Sequence, residues 1–302
     1  MMRITVVGDT LLDEDIDGAS TRLSPDAPVP VVEIGSRVSR AGGAGLVARM
    51  LAVDGFDVSL VTVLGNDQAA DRIRGLLAGV RIVAGDAGAP TPIKTRVRAN
   101  GFPIARLDEG CEPAPVPQAS EEMLRAIALA DAIVVADYGR GMTAHPAIRL
   151  ALAERAGRVP LVWDPHPRGT RPVPNTTLAT PNQAEAAAVV GVARETVHTP
   201  SAIRALHETW ECASLAITLG EDGALLSKGP QDERLWFAAD RVSTHDPCGA
   251  GDRFAASAIA ALAAGAELAD AVRGAVAAAS AYLARGGVRA LAGNHPPVPT
   301  LA

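Results

Sequence analysis

The most informative stretch of the sequence is Asp246-Pro247-Cys248-Gly249-Ala250-Gly251-Asp252-Arg253-Phe254, which leads into an alanine-rich helical pattern. A turn of small residues at the start of a helix leaves backbone N–H groups without partners. These groups, together with the helix dipole, attract an anion. We therefore predict that Gly249, Ala250 and Gly251 form a binding site for a phosphoryl group.

Asp252 is the unusual residue of this turn, because a carboxylate repels a phosphate that is merely bound. Its presence is explained if it takes the proton from an attacking hydroxyl while the amides hold the phosphoryl group. The sequence thus predicts phosphoryl transfer with Asp252 as the base. The alternative is structural, with Asp252 capping the helix after a glycine turn.

Outward from this stretch, short apolar segments alternate with helical patterns along most of the chain. The strand patterns are Arg3–Val7, Val58–Leu64, Ala132–Ala136, Leu161–Trp163 and Leu215–Leu219. The helical patterns are Ala44–Val53, Ala69–Leu77, Ser120–Leu129, Pro146–Ala156, Gln183–Val190, Ser201–Trp210, Gly251–Ala264 and Leu268–Arg285. Such alternation is typical of right-handed βαβ units. It predicts a three-layer α/β/α fold with a mainly parallel central sheet, as a single domain over residues 1–302.

Two stretches break the alternation, Asp13–Ile34 and Thr91–Asp108, which are rich in polar, proline and strand-favouring residues. We predict that they form a small β-sheet lid over the carboxyl ends of the parallel strands, where such folds bind ligands. An open apolar strand edge invites pairing with another chain. We therefore also predict a homodimer through the lid.

The composition excludes several function classes. The formal net charge of −6 gives no basic footprint for nucleic acid. The three cysteines are far apart and the six histidines lack metal-site spacing, so we expect neither disulfides nor a zinc site. The sequence contains no long uncharged apolar stretch. We expect a cytoplasmic protein with a small-molecule substrate, no nucleic-acid partner and no membrane partner.

The turn Gly249-Ala250-Gly251-Asp252 before a long helix resembles the signature of the ribokinase-like (PfkB) carbohydrate kinases. Other landmarks of that family occur in the expected order: Gly8–Asp13, Gly42-Gly43-Ala44, Gly65-Asn66-Asp67, Thr180–Glu185 and Thr218–Gly223. The resemblance implies a sugar kinase that uses ATP and Mg²⁺. It leaves a requirement for a monovalent cation open.

Within that family the sequence is most similar to the kinases that phosphorylate D-glycero-D-manno-heptose 7-phosphate at its anomeric position. The residues that carry this similarity are Gly8–Asp13, Leu23–Val32, Lys94–Val97, Arg106–Asp108 and Asp137–Gly141. The expected product is the 1,7-bisphosphate. Bifunctional members of this branch also carry a nucleotidyltransferase domain with an HxGH motif. This sequence has no such motif, so we expect the kinase alone.

The resemblance also implies roles for individual residues. Those expected to bind the acceptor are Asp9, Asp13, Gly42, Gly43, Lys94, Arg96, Arg106, Asp137 and Arg140. Lys94 and Arg96 are assigned to the phosphate that the acceptor already carries. Those expected on the nucleotide side are Asn182, Glu185, Thr218, Gly220 and Gly223, and Asn182 and Glu185 would organise Mg²⁺ through water.

Four departures from the branch bear on the acceptor rather than on the catalytic turn. Leu46 replaces an asparagine, Pro247 a threonine, and His166 and Arg140 each a lysine, with Arg168 a stand-in for the lysine at 166.

The alternatives left open are a kinase for fructose, ribose or a nucleoside, and a non-catalytic relative that binds sugar or nucleotide. The run Gly43–Ala48 also satisfies the GxGxxA dinucleotide fingerprint. However, polar residues precede it where a buried strand is expected, which argues against an NAD-dependent enzyme.

Overall fold

The computed structural model describes residues 2–112, 119–231, 233–243 and 246–292. The strands are β1 Arg3–Gly8, β2 Thr10–Leu23, β3 Pro30–Gly43, β4 Asp57–Leu64, β5 Arg81–Asp86, β6 Ile93–Ala99, β7 Phe102–Glu109, β8 Ala132–Ala136, β9 Leu161–Asp164, β10 Leu178–Ala179, β11 Leu215–Thr218, β12 Ala224–Ser227 and β13 Arg234–Phe237. The helices are α1 Ala44–Val53, α2 Gln68–Leu76, α3 Glu121–Ala128, α4 Pro146–Arg155, α5 Gln183–Val190, α6 Pro200–Trp210, α7 Ala250–Ala263, α8 Leu268–Ala284 and α9 Val288–Ala292.

Within the described residues, nine strands form the central sheet, in the order β13-β12-β11-β10-β9-β8-β1-β4-β5. The pairs from β5 to β11 are parallel, whereas β12 and β13 are added antiparallel at one edge. β8 is apolar and buried at every position, as expected for a strand covered on both faces.

Helices cover both faces of this sheet. Successive residues of a strand point to opposite faces, so neighbouring apolar residues of one strand pack against helices on opposite sides. Val6 packs in one core cluster with residues of α1, α7 and α8. Val7 packs in another with residues of α3 and α4. The prediction of a three-layer α/β/α fold around a mainly parallel sheet is therefore confirmed.

A second sheet of four strands, in the order β3-β2-β6-β7, stands apart from the first. Its first segment begins at Thr10 and runs on to Gly43, nine residues beyond the predicted end at Ile34. Apart from two register shifts, β3 pairs with β2 from Pro30 to Gly43, which lies opposite Thr10, so the strand pairing extends beyond the approximate predicted end. We call this sheet the lid sheet. Its function as a lid, and the single-domain organisation, stay predictions.

No helix in the described part of the chain combines the length and the apolar character needed to cross a membrane.

Candidate active site

Polar residues, some of them predicted and some not, gather at the carboxyl ends of the parallel strands. Asp9 follows β1, Tyr138 is the second residue after β8, Asp164 ends β9 and Thr218 ends β11. Helix α7 packs against β8 and β9, and its first turn brings Asp252 to the same edge of the sheet. Because open parallel sheets bind ligands at this edge, it is the candidate active site.

Asp252 is the carboxylate at the centre of the site. It is only 8% exposed, and the Tyr138 hydroxyl donates a hydrogen bond of 2.6 Å to its Oδ1. Burial raises the pKa of Asp252 to about 6, the bond from Tyr138 opposes that rise, and the charge of Asp13 adds to it. A carboxyl with this pKa is ionised at neutral pH and is a stronger base than an exposed aspartate.

The turn before α7 has the geometry of an anion site. Gly249 is the N-cap residue, with a left-handed φ of 81°, and it has no side chain with which to cap the helix. A Cβ at this position would lie 2.5 Å from the Tyr282 hydroxyl, so the turn needs glycine. Gly251 is exposed, and no atom occupies the space where its Cβ would stand. The Gly251 N–H is thus available to a phosphoryl group, whereas the Ala250 N–H already donates to the Pro247 carbonyl at 3.2 Å.

Asp9 is 1% exposed, and its two carboxylate oxygens differ in their hydrogen bonding. Its Oδ2 accepts a bond of 2.9 Å from the Arg140 backbone N–H, whereas its buried Oδ1 has no partner among the described residues. Burial raises the pKa of Asp9 to about 6, and the nearby charge of Asp137 contributes. Because buried polar atoms are nearly always hydrogen-bonded, Oδ1 is suited to receive a ligand hydroxyl.

Asp137 makes a different set of contacts. Its Oδ1 accepts from the Gly139 N–H at 2.8 Å, and its Oδ2 accepts from the Thr143 hydroxyl at 2.7 Å and the Thr170 N–H at 3.0 Å. These bonds hold the loops after β8 and β9 together. Direct binding of the acceptor by Asp137 stays a prediction, and its contacts favour a structural role.

Asp13 and Arg96, both predicted to bind the acceptor, bind each other. Arg96 Nη1 lies 2.9 Å from Asp13 Oδ1, and Arg96 Nη2 lies 3.9 Å from the Cys248 sulfur in the turn before α7. Gly42 allows the Asp13 carboxylate to approach, since a Cβ there would lie 2.5 Å from Oδ2. Gly43 has a φ of 62° and sits against the Asp9 carbonyl oxygen, 2.4 Å from the position of its missing Cβ.

The four cations predicted for the acceptor make different contacts. Arg96 and Arg106 are ion-paired, with Asp13 and Asp108 respectively. Arg140 is buried and donates to the Gly110 carbonyl, which joins the loop after β8 to the end of the lid sheet. Lys94 lies opposite Asp108 on β7, on the same strand face as Arg96.

Asn182 and Glu185 form a capping box at the start of α5. Asn182 Oδ1 accepts from the backbone N–H groups of Ala184 and Glu185, and Glu185 Oε2 accepts from the Asn182 N–H at 2.8 Å. Burial raises the pKa of Glu185. Burial also raises the pKa of Asp164, and the charges of Asp252 and Glu185 raise it further. Asp164 therefore lies within electrostatic range of both Asp252 and Glu185.

Of the three residues predicted on the nucleotide side, Thr218 lies next to the capping box of α5. The Thr218 N–H donates to the Pro181 carbonyl at 2.9 Å, which places Thr218 beside Asn182. Gly220 and Gly223 have φ values of 64° and 97° in the turn after β11. Gly223 is also required by packing, because its Cβ would overlap the Phe237 carbonyl oxygen.

Comparison with known proteins decides the family. The profile of the pfkB family carbohydrate kinases matches residues 1–293. The chain belongs to this family.

Curated relatives include the bifunctional protein HldE of Streptomyces coelicolor, 44% identical over 296 residues, and that of Halorhodospira halophila, 38% identical over 280 residues. The alignments cover 95% and 89% of this chain but 61% and 57% of those proteins. The chain thus spans about three fifths of the length of these relatives.

Solved structures of other kinases share the fold. Arabidopsis thaliana ribokinase complexed with ribose and ATP superposes with a TM-score of 0.74 at 19% identity, covering 96% of each chain. The tetrameric inhibited form of Escherichia coli phosphofructokinase-2 superposes with a TM-score of 0.70 at 19% identity, covering 96% of this chain and 97% of that one. At 19% identity, the similarity to these structures shows a shared fold and nothing more.

The structure explains one departure from the pfkB-family pattern and one competing motif. Leu46 is 4% exposed and belongs to the main core, so it fills apolar space instead of facing a sugar. The Gly43–Ala48 run does follow a strand, contrary to the expectation from its polar neighbours. That strand is β3 of the lid sheet, not a central parallel strand, so the dinucleotide fingerprint lacks its structural context.

Sequence reasoning missed three polar residues of this pfkB-family site. Tyr138 bonds the base, Asp164 ends β9 beside Glu185, and Arg98 forms an ion pair of 2.6 Å with Asp246. Asp164 had a usable signal, because it follows a buried strand at the edge where Asp9 was predicted. The contacts of Tyr138 and Arg98 span 114 and 148 residues, and no local pattern indicates such distant partners.

Proposed function

We propose that this pfkB-family protein transfers the γ-phosphoryl group of ATP to a hydroxyl of a sugar that already carries a phosphate. The observation that carries the proposal is the buried Asp252 carboxylate in the first turn of α7, next to the glycine turn. A base and an anion site within one turn are the two elements that phosphoryl transfer to an alcohol requires.

In the proposed reaction, the acceptor hydroxyl gives its proton to the Asp252 carboxylate as its oxygen attacks the γ-phosphorus. A new O–P bond forms, the bond from the γ-phosphorus to the bridging oxygen breaks, and ADP leaves. The N–H groups of Gly249 and Gly251 stabilise the charge on the phosphoryl oxygens. The Ala250 N–H, also predicted for this role, donates to the Pro247 carbonyl and holds the turn. Asp9 Oδ1, which is buried and unpaired, orients the acceptor by accepting from one of its hydroxyls.

The residues near Asp164 fit a magnesium ion. Asp164 and Glu185 are close enough for the charge of Glu185 to raise the pKa of Asp164, and a divalent cation would offset that repulsion. Asn182 and Glu185 would hold Mg²⁺ through water, consistent with the oxygen ligands and retained waters that this ion prefers. Bound there, Mg²⁺ would neutralise phosphate charge. In the described residues no group of three possible ligands forms a metal site built by the protein alone.

Positive charge on the acceptor side supports a phosphorylated sugar. Burial lowers the pKa of Arg140 after β8 and that of His166 after β9. The charge of Arg168 lowers both pKa values further, and the charge of Lys94 on β6 lowers that of His166. Such a group of cations suits a phosphate monoester. The best candidate is D-glycero-β-D-manno-heptose 7-phosphate, converted to the 1,7-bisphosphate. The similarity of residues 23–32 to the heptose kinases supports this choice.

The test is ADP formation from ATP with Mg²⁺ and a panel of free and phosphorylated sugars. We expect turnover with heptose 7-phosphate and little with free heptose. Asp252→Asn should lower turnover by about two to four orders of magnitude and leave ATP binding intact. Turnover only with fructose, ribose or a nucleoside would retain the kinase and reject the acceptor. ATP binding without turnover on any sugar would favour a non-catalytic relative.

Three further parts of the proposal need separate tests. Omitting K⁺ from the assay tests a monovalent-cation requirement. Cell fractionation tests a cytoplasmic location.

A homodimer through the lid sheet is supported by β7, which is exposed at every position and carries Phe102 at 71% exposure. Light scattering should give twice the chain mass, and Phe102→Asp should lower it. A monomeric wild-type protein would exclude the dimer.

A further inference from the structure

Tyr138 lies close to the lid sheet and to the loop after β9. Its Cδ2 would lie 3.4 Å from a Cβ on Gly43, an ordinary van der Waals distance, so the ring packs beside this glycine. The His166 ring stacks on it with centroids 6.3 Å apart and an interplanar angle of 27°. With the ring placed between these neighbours, its hydroxyl donates a hydrogen bond of 2.6 Å to Asp252 Oδ1.

We propose that Tyr138 is a positioning residue for Asp252, an inference that rests on the proposed kinase function. The phenol O–H donates to Oδ1 and fixes the rotation of the carboxylate, so Oδ2 is the oxygen that takes the acceptor proton. The phenol keeps its own proton throughout. Burial raises the pKa of Tyr138 well above its usual range, and the charge of Asp252 adds to this rise. Tyr138 is therefore a donor, not a second base.

The hydrogen bond also sets the pH at which Asp252 ionises. Burial and the charge of Asp13 on β2 raise the pKa of Asp252. Asp252 in turn raises the pKa of the buried Asp164, the last residue of β9, to which burial contributes most. Tyr282 on α8 is near enough for its pKa to respond to Asp252, but its hydroxyl donates to the Cys248 carbonyl at 3.3 Å. Tyr138 is the side chain that lowers the pKa of Asp252 by a hydrogen bond.

Tyr138→Phe tests the proposal, because it removes the hydroxyl and keeps the stacked ring. A hydrogen bond to a charged group favours that charge, so its loss should move the acid limb of the pH profile of kcat/KM upward by about one pH unit. We expect lower kcat, and an unchanged dissociation constant for ATP by calorimetry. Tyr282→Phe is the matched control, since the chain has only two tyrosines. This change should leave the acid limb where it is.

A measurement that does not need activity separates this proposal from the proposed function. The carboxyl carbon of Asp252, assigned by its absence in Asp252→Asn, can be titrated by ¹³C NMR. A higher apparent pKa in Tyr138→Phe than in the wild type supports the proposal. An equal apparent pKa overturns it, as does reduced turnover with an unmoved acid limb. Wild-type protein that turns over no sugar would overturn the proposed function, and with it the catalytic role of Tyr138.

Discussion

Asp252 and Asp9 share an environment that opposes their ionisation. Burial raises the pKa of each to about 6, although each carboxylate accepts a hydrogen bond. The bonds donated by the Tyr138 hydroxyl and the Arg140 N–H do not fully compensate for the loss of hydration when these carboxylates are buried. A buried carboxylate that is ionised without full compensation lowers the stability of the fold. Such groups are found at functional sites, where a base with a raised pKa is needed.

The pH dependence of turnover should report this environment. Asp252 must be ionised to accept a proton, so kcat/KM should fall about tenfold per pH unit below about pH 6. Steady-state kinetics from pH 5 to 9 would measure it. A rate that stays constant down to pH 4.5 would mean that the base has an ordinary pKa and that Asp252 is not the base.

Asp252→Asn should make the protein more stable at alkaline pH. The folded-state pKa of about 6 is above the reference value of 3.8, so the folded state binds this proton more tightly than the unfolded state. The ionised carboxyl therefore costs stability above about pH 6, and this cost vanishes below about pH 3.8. At pH 8 the free energy of unfolding should rise by up to about 3 kcal/mol.

Urea unfolding at pH 8 and pH 4 would measure this gain. The exposed Asp240→Asn is the control, with little expected change at either pH. Equal stability of Asp252→Asn and wild type at pH 8 would contradict the raised pKa.

At the scale of elements, the sequence pattern worked best where an element is buried or capped. The bounds of α1, α5 and β8 are those predicted from the sequence. Strands β5 and β13 were missed because they lie at the sheet edges and are only partly buried. β12 was missed because it has only four residues, although all of them are buried. β10 has only two residues and gives no pattern. β3 was cut short because residues 33–38 are exposed and mixed in character, although the backbone pairs throughout.

The candidate site was predicted where one turn or one strand end carries the chemistry, as with Asp9 and Asp252. It was not predictable where distant elements meet. Asp13 and Arg96 were each assigned to the acceptor, but the pairing of β2 with β6 brings them together. The register of two strands far apart in sequence decides such pairs.

The capping box of α5 allows a structural role and a catalytic role of Asn182 to be separated. Asn182→Ala should lower the free energy of unfolding by about 1 kcal/mol, because two N–H groups lose their acceptor. Ser120→Ala is the matched control, since Ser120 caps α3 by accepting from the Met123 N–H. It should cost a similar amount of stability.

Only Asn182→Ala should raise the Mg²⁺ concentration needed for half-maximal turnover. Thermal unfolding and a Mg²⁺ titration of turnover would measure the two effects. An unchanged Mg²⁺ requirement in Asn182→Ala would reduce Asn182 to a helix cap.

At the scale of the whole molecule, two contacts tie the lid sheet to the catalytic turn. Arg98 on β6 forms an ion pair of 2.6 Å with Asp246, and Arg96 on the same strand reaches Cys248. The side chains of Arg98 and Asp246 are 15% and 27% exposed, so the pair is less screened than a surface pair. The lid sheet and the start of α7 should therefore move together.

Arg98→Gln should loosen the lid sheet without unfolding the central sheet. Weakening a partly buried ion pair by about 1 to 2 kcal/mol would raise the opening frequency of the paired segment about 5- to 30-fold. Amide hydrogen exchange should accelerate by that factor in β6 and β7 and remain unchanged in β8. Arg81→Gln is the control, because the Arg81–Glu122 pair is 55% and 62% exposed and should contribute little. Equal exchange in β6 for both variants would mean that the lid sheet is held by its apolar contacts and not by this ion pair.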